Sequence, residues 1–495
     1  MKKYRTILTN SLLFILIFSP LLLIAGQKPQ AKNEIIIEGK TDSAYKVDLV
    51  IASKLMSFIN KFSTTRSITV QNGRFSFHIP GLQEPTNTRL IFFYPSGKMF
   101  ILENYLVEPG DSVYIQQTKT AAAFFGRSSP SFNCQFQMSQ VKMANRFFAN
   151  EQADLYKECD TRSKIVDSYY QLKKAVLEGY EGRLSEKMYQ LLQTEIYYEK
   201  QKTNLGIATT YLSYSRDSIQ KSSVIRYYTD HYLSDQLDTN NSNLKLYSKF
   251  YIEYVLTKLE LNCITRFLQN PATRLSRSDI TNAVYHEIGQ QRNSLLNQKI
   301  LTSFFVKKIV ITENVGKQIE ETIKKITDPT LLEIMTIIQR RTKGAKAYDF
   351  SLPDSKGKIV RLADFRGKVV VLDCWYTGCI ACSAMALVLK PIAQKKDSNV
   401  VFITISIDKD KKTWLESLKS GKYSSDDEIN VYTEGKGDST EIMRHYMTGG
   451  YPLIIVIDRF GKIFAVNPIP DSLRSQRQET IASFQKSIAD AIKEQ

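Results

Sequence analysis

Two cysteines three positions apart, Cys379 and Cys382, are the residues of this sequence best placed to do chemistry. They stand where the apolar run 367–374 gives way to a segment that predicts a helix over 382–395. Free N–H groups at a helix N-terminus stabilise a thiolate, so Cys379 should be nucleophilic. Cys382, one turn further on, is close enough to close a small disulfide ring. The pattern indicates thiol–disulfide exchange, with Cys379 attacking and Cys382 resolving the mixed disulfide.

The elements around this pair predict an α/β domain over 346–495. Short apolar runs alternate with helical segments, which favours a mixed sheet with helices on both faces. The region resembles the exported TlpA/ResA-like thioredoxins, a family of thiol–disulfide oxidoreductases. The likeness rests on the hairpin and strand segment 350–373, on Trp375 four residues before the first cysteine, and on 446–463.

The resemblance implies roles for the residues that match the family's motifs. Cys379 matches the nucleophile and Cys382 the resolving thiol, and the two form the redox disulfide. Asp373 occupies the family's buried acidic position beneath the cysteines. A carboxylate there would be desolvated and its pKa raised, so it would be able to accept the proton of Cys382. The competing interpretation, a strand-end Asp373 bonded to backbone, stays open.

Three more positions follow from the same resemblance. Pro452 matches the family's cis-proline, whose backbone pairs with an extended substrate segment, and we assign Tyr451 and Trp375 to substrate binding with it. The sequence also departs from the family's pattern. Gly378 replaces a bulky aromatic residue before the first cysteine, and Ile-Ala at 380–381 replaces Gly-Pro, so the family's redox potential cannot be transferred.

The remaining four cysteines have no such context. Cys374 is predicted to be a buried, inert small side chain. Cys134, Cys159 and Cys263 are an odd set for an exported protein. One pair, such as Cys134 with Cys159, could form a structural disulfide, but spacing does not decide the connectivity. His445 is predicted to lie on a helix surface.

Other functions receive less support from the sequence. One Cys-x-x-Cys pair and four histidines do not supply a tetrahedral zinc site, so no metal and no other cofactor is expected. The main alternative is a thioredoxin-fold binding or scaffold protein with a structural Cys379–Cys382 disulfide and little turnover. Peroxide reduction ranks lower, because Thr377 is two residues from Cys379 and no proline precedes it.

The N-terminus predicts export. A cationic start, 1–5, precedes the apolar run 11–25, and small and polar residues follow, as in a secretory signal. We therefore expect a signal peptide or N-terminal anchor over 1–26. The expected location is the periplasm or cell envelope, with the protein either soluble or membrane-anchored at its N-terminus.

Two regions lie between this leader and the redox domain. Alternating runs over 33–120 predict a small antiparallel β-sandwich, with Asn72-Gly73 as the turn of a hairpin. The segment 106–111 resembles the small domain that often precedes such thioredoxins. Apolar residues at three-to-four spacing over 135–345 predict a helical bundle, in which paired tyrosines serve core and rim packing. Proline is nearly absent from this region, and Pro271 and Pro329 stand out as predicted boundaries within it.

Composition limits the partners. The chain has 495 residues, 43% of them hydrophobic, and a formal net charge of +17. The basic residues form no stripe interleaved with aromatic residues, so a nucleic-acid partner is not expected. The expected partners are protein thiols and disulfides, together with a membrane-borne electron donor or acceptor. The direction of electron flow stays open.

Overall fold

The chain forms a β region, a helical region and an α/β region in that order. The computed structural model describes residues 33–52, 55, 63–143, 154–214, 218–234, 243–268, 277–290, 294–308, 315–446, 450–468 and 477–494. The leader predicted over 1–26 lies outside these residues. Of the helices described, none has both the length and the apolarity needed to cross a membrane.

Two four-stranded sheets form the β region, in the orders β4-β1-β7-β8 and β3-β2-β5-β6. Their apolar faces pack together in one core, as expected for a sandwich. Pairing is antiparallel except between β1 and β7, which are parallel. The strands are β1 (Ile35–Thr41), β2 (Lys46–Ile51), β3 (Thr64–Thr69), β4 (Arg74–Ile79), β5 (Thr86–Phe93), β6 (Met99–Val107), β7 (Ser112–Gln117) and β8 (Ala122–Phe125).

The hairpin predicted at Asn72-Gly73 is wrong, although the turn itself is present. Asn72 and Gly73 have φ values of 52° and 69°, and one bridge joins Gln71 to Arg74. Beyond that bridge, β3 and β4 enter different sheets. A tight turn specifies only a local reversal, whereas strand pairing follows the burial of the apolar face. Strand β4 buries its apolar residues in the shared core, and β3 is largely exposed.

Helices make up the middle region, as predicted. Pro329 occupies the first turn of its last helix, after the cap Asp328, and Pro271 lies outside the described residues. The tyrosine pairs serve core and rim packing, since Tyr170 and Tyr198 are buried and Tyr197 is exposed. The helices are α1 (Ser129–Gln140), α2 (Leu155–Glu178), α3 (Glu186–Tyr214), α4 (Ser218–Tyr228), α5 (Lys249–Leu268), α6 (Arg277–Gly289), α7 (Leu295–Lys308), α8 (Val315–Lys325) and α9 (Pro329–Gln339).

The cysteines of the helical region are free and buried. Cys134 packs with Leu106 and Leu191 in one hydrophobic cluster, whereas Cys159 and Cys263 belong to another. The suggested pairing of Cys134 with Cys159 is therefore wrong, because helix packing directs the two side chains into separate cores.

A five-stranded mixed sheet, in the order β13-β12-β11-β14-β15, organises the α/β region, and a hairpin of β9 and β10 packs beside it. Strands β11, β12 and β13 are parallel, and β14 is antiparallel to β11. The elements are β9 (Ser351–Pro353), β10 (Ile359–Arg361), β11 (Val369–Trp375), α10 (Ile380–Ala393), β12 (Val400–Ser406), α11 (Lys411–Ser420), β13 (Ile429–Tyr432), α12 (Glu441–Tyr446), β14 (Leu453–Ile457), β15 (Ile463–Val466) and α13 (Arg477–Lys493).

Both faces of this sheet are covered, as predicted. Helices α10 and α13 pack on the face that carries Val369 and Val371. Helix α12 and the β9–β10 hairpin cover the face of Val370 and Leu372. Strand β11 is buried at every position and ends at Trp375, four residues before Cys379. The carboxyl end of the central strand thus delivers Cys379 to the N-terminus of α10.

Candidate redox site

Cys379 and Cys382 are joined in a disulfide, with 5.2 Å between their Cα atoms. Cys379 is the N-cap residue of α10, and the backbone N–H of Cys382 donates to its Sγ at 3.0 Å. The two residues are 4% and 1% exposed. The sulfur of Cys379 therefore receives a hydrogen bond from the helix N-terminus, which favours a thiolate after reduction.

A segment remote in sequence meets this sulfur. The Tyr451–Pro452 peptide bond is cis, as the resemblance implied, and the carbonyl oxygen of Tyr451 lies 3.9 Å from Cys379 Sγ. The Tyr451 hydroxyl donates to Asp438, and its ring meets Tyr376 edge-on at 5.8 Å. The backbone before Pro452 thus forms one wall beside the disulfide.

Trp375 lies beneath the site, where it has no exposed surface. Its ring stacks on Tyr423 at 4.9 Å, and Trp414 stacks on Tyr432 at 4.8 Å. These rings and both cysteines form one hydrophobic cluster. Trp375 is therefore placed to support the disulfide from below, not to line the surface that a substrate touches.

The loop between β11 and the cysteines is held by a buried carboxylate that sequence reasoning missed. Asp408 accepts hydrogen bonds from the backbone N–H and the hydroxyl of Thr377, both at 2.8 Å, and from the Ser406 hydroxyl at 2.9 Å. The Gly378 N–H donates to the Tyr423 hydroxyl at 2.8 Å. The one available signal was position: Asp408 follows β12, whose carboxyl end lies at the same sheet edge as that of β11.

Asp373 lies on β11, two residues beyond Val371 and thus on the sheet face that α10 covers. It is 3% exposed, and its Oδ1 has no hydrogen-bond partner in the part of the chain that is described. Burial raises the pKa of Asp373 well above its ordinary value, and the nearby carboxyl of Glu428 acts in the same direction. The interpretation of Asp373 as a strand-end residue bonded to backbone accounts for neither feature.

Glu428 is a second buried carboxyl that sequence reasoning missed. It is 7% exposed and accepts hydrogen bonds from the N–H and the hydroxyl of Ser425, at 2.6 and 3.1 Å. Asp373, Thr404 and Asn430 are aligned across three strands, and Glu428 precedes Asn430 by two residues. Burial raises the pKa of Glu428, while the Ser425 hydrogen bonds and then Lys390 of α10 oppose the rise.

The departures from the family's pattern open the rim of the site. A Cβ atom at Gly378 would meet no atom within 4 Å, although the φ of +96° would strain any other residue there. Ile380 is 85% exposed and Tyr376 is 40% exposed. An apolar rim with an open position therefore surrounds the buried sulfur atoms.

Two further predicted residues have structural positions. Cys374 is fully buried in the core on the opposite face of the sheet, which agrees with an inert side chain. His445 does not lie on an exposed helix surface. It is half-buried on α12 between the rings of Tyr348 and Tyr446, with centroid distances of 5.1 and 4.9 Å.

Comparison with known proteins gives matches to the region that contains Cys379 and Cys382. The Redoxin family model matches residues 342–480. No curated protein matches the chain.

Similar solved structures include the thioredoxin domain of a thiol-disulfide oxidoreductase from Bacteroides vulgatus, with 27% identity, 30% of this chain and 98% of that chain covered, and a TM-score of 0.25. A thiol-disulfide oxidoreductase from Bacteroides fragilis has 27% identity over 27% of this chain and 98% of its own, with a TM-score of 0.24. A thiol:disulfide interchange protein from Bacteroides sp. has 24% identity over 30% of this chain and 91% of its own, with a TM-score of 0.25.

The family match, the mixed sheet and the disulfide at the end of its central strand define the class of the C-terminal region. It is a thioredoxin-like oxidoreductase domain.

Proposed function

We propose that the protein is an exported thiol–disulfide oxidoreductase that exchanges disulfides with protein partners through Cys379 and Cys382. The observation that carries this proposal is the position of the Cys379 sulfur. It caps α10, accepts the N–H of Cys382 and lies beside the carbonyl of Tyr451. A purely structural disulfide needs none of these three features.

The exchange moves two electrons. In the reducing direction, the Cys379 thiolate attacks one sulfur of a partner disulfide, and the other partner sulfur leaves as a thiolate. Cys382 then loses its proton, attacks Cys379 Sγ and breaks the mixed disulfide. The partner ends with two thiols, and the protein ends with the Cys379–Cys382 disulfide. The oxidising direction is the reverse.

Asp373 is the proposed base for the second step. The buried carboxyl lies on the sheet face beneath the helix that carries Cys382. Its raised pKa makes it a better proton acceptor than an exposed aspartate. As Cys382 becomes the attacking thiolate, its proton passes to Asp373.

Tyr451 and Pro452 are the proposed substrate wall. The peptide bond between them is cis, and the carbonyl oxygen of Tyr451 lies 3.9 Å from Cys379 Sγ. An extended partner segment can pair with this backbone while its cysteine reaches Cys379. Ile380 and Tyr376 provide exposed apolar surface on the same rim.

Export and the electron partner complete the proposal. The sequence of 1–26 supports delivery to the periplasm or cell envelope. Sustained reduction in an oxidising compartment requires electrons from across the membrane, so a membrane-borne donor is the proposed partner.

The proposal is tested by insulin disulfide reduction with dithiothreitol as the electron source. Wild type should reduce insulin well above the uncatalysed rate, and Cys379→Ala should lower the rate to that background. Cys263→Ala, a buried free cysteine of the helical region, is the matched control and should keep the wild-type rate. Equal rates for wild type and Cys379→Ala would defeat the proposal.

One observation favours the alternative, a binding or scaffold protein with a structural disulfide. Both cysteines are almost fully buried in the oxidised protein. Equilibration of the Cys379–Cys382 pair with glutathione separates the two functions. A disulfide that persists under strongly reducing conditions and reacts slowly indicates the scaffold, whereas rapid equilibration indicates the oxidoreductase.

A further inference from the structure

A cavity of about 740 Å³ lies between the β region and the helical region. Its lining residues are remote in sequence from Cys379 and Cys382. Three segments line it: the loop from Glu108 to Asp111, the approach to α1 around Arg127, and the start of α3 from Arg183 to Met188. Its volume lies within the range of ligand sites, about 300–1,000 Å³. No residue of the redox site contributes to it.

The acidic side chains of the cavity are held by its own walls. Glu108 Oε2 accepts the Ser185 hydroxyl at 2.6 Å. Asp111 accepts the backbone N–H of Glu108 and the hydroxyl of Ser128, both at 2.7 Å. These bonds tie the β7 loop to the starts of α1 and α3. The two carboxylates therefore shape the cavity and are directed at wall groups.

The basic side chains of the cavity are differently placed. Arg183 and Lys187 are exposed and form no ion pair with any residue in the described ranges. Arg183 lies over the Tyr180 ring at 4.6 Å and Lys187 over the Tyr247 ring at 5.5 Å. Arg127 contributes a third cation to the lining, and its guanidinium donates to the Gly110 carbonyl near Asp111. The charges of Arg183 and Lys187 are thus available to an anion from outside the protein.

The rest of the lining indicates the size and character of that anion. Pro109, Pro130, Leu184 and Met188 supply apolar surface next to the cations. A lone inorganic anion would leave most of the volume and this surface unused. An anionic group with a small organic body matches both, and guanidinium groups bind phosphate oxygens in pairs.

We propose that this cavity is a binding site for an organic phosphate monoester, held by Arg127, Arg183 and Lys187. The shared chemistry is a dianionic phosphate on a body of glycerol or sugar size. Such a group exists both in soluble molecules and in lipid headgroups. The site is independent of the cysteines, so its occupation does not require the redox function.

The test is calorimetric titration of the full chain with glycerol 3-phosphate, with glycerol as the uncharged control. A parallel sedimentation assay uses phosphatidylcholine vesicles with and without phosphatidic acid. We expect saturable binding that Arg183→Gln with Lys187→Gln weakens at least tenfold. The matched control, Lys157→Gln with Lys164→Gln, removes the same charge from exposed positions of α2 and should leave binding within about twofold of wild type.

Each outcome decides the proposal. Saturable binding of glycerol 3-phosphate identifies a soluble ligand, and binding to phosphatidic acid vesicles alone identifies a lipid headgroup; both support the site. No binding in either assay overturns it. Equal weakening by the cavity and control variants also overturns it, because the attraction would then be that of a basic surface.

Discussion

Cysteines lie both at the start of α10 and in the interior of the helical region. The two environments have opposite effects on the ionisation of the thiol. At α10, Cys379 receives a backbone N–H and lies beside the Tyr451 carbonyl. In the helical region, burial raises the pKa of both Cys134 and Cys159 to about 12. Nearby Arg183 and Arg162, respectively, offset only part of this rise.

The difference shows that backbone placement, not residue type, decides sulfur chemistry here. A thiol within a helix faces apolar neighbours, and its helix N–H groups are already bonded to carbonyls. A thiol at the N-cap faces N–H groups that have no helical partner. We therefore expect one reactive position among the six cysteines, and substitutions of the residues that support Cys379 test this expectation.

The largest expected effect is the trapping of a partner. Cys382→Ser removes the resolving thiol, so a mixed disulfide on Cys379 should persist and appear as a higher band on a non-reducing gel. Cys382→Ser combined with Cys379→Ser should give no band, while Cys382→Ser with Cys263→Ser should give the same band. A band that disappears when Cys263 is replaced would show that Cys263, and not Cys379, is the reactive cysteine.

Asp373→Asn should have the next largest effect on rate. Loss of a base costs about 100-fold or more in a step that needs proton transfer. The rate of mixed-disulfide resolution should rise in wild type as pH increases through the raised pKa of Asp373 and lose that rise in the variant. Stopped-flow fluorescence at several pH values measures this. An unchanged pH profile would remove Asp373 from the mechanism.

The same variant should be more stable than wild type at neutral pH. Because the pKa of Asp373 is raised in the folded protein, wild type loses stability as pH rises from the ordinary value of 3.8 through the folded value. Asparagine does not ionise, so the gain should be about 1–3 kcal/mol at neutral pH and should vanish near pH 4. Urea unfolding at both pH values measures it, and a loss of stability at neutral pH would contradict the burial argument.

A smaller effect is expected at Glu428. Its negative charge helps to raise the pKa of Asp373, so Glu428→Gln should move the rise in resolution rate to lower pH. Asp426→Asn is the matched control, since Asp426 is an exposed acid of the same segment and does not act on Asp373. We expect a change of less than about tenfold at neutral pH. Equal profiles for both variants would exclude Glu428 from this role.

Sequence reasoning reached the parts of the site that local patterns specify. Strand β11, the helix after it and the spacing of Cys379 and Cys382 follow from periodicity and helix geometry. Only the family resemblance predicts the cis bond before Pro452, because most X-Pro bonds are trans.

Other features of the site and the fold depend on long-range packing, which local sequence patterns do not specify. Asp408 and Glu428 resemble ordinary loop acids in the sequence, and only the parallel arrangement of β11, β12 and β13 brings them to the site. The turn at Asn72-Gly73 was correctly located, yet its strands joined different sheets because β4 completes a core that no local pattern describes. The resemblance predicts Trp375 at the substrate surface, whereas its ring is fully buried and stacks on Tyr423.

The reactivity of Cys379 is measured most directly by the alkylation rate of each cysteine in the reduced protein at pH 6, followed by peptide mass spectrometry. An ordinary thiol with a pKa of about 8.5 is almost fully protonated at that pH. We expect Cys379 to react at least about tenfold faster than a free cysteine peptide, and Cys134, Cys159 and Cys263 to react more slowly than the peptide. Labelling of Cys379 at the rate of the peptide, or below it, would show that the helix N-terminus does not activate this thiol.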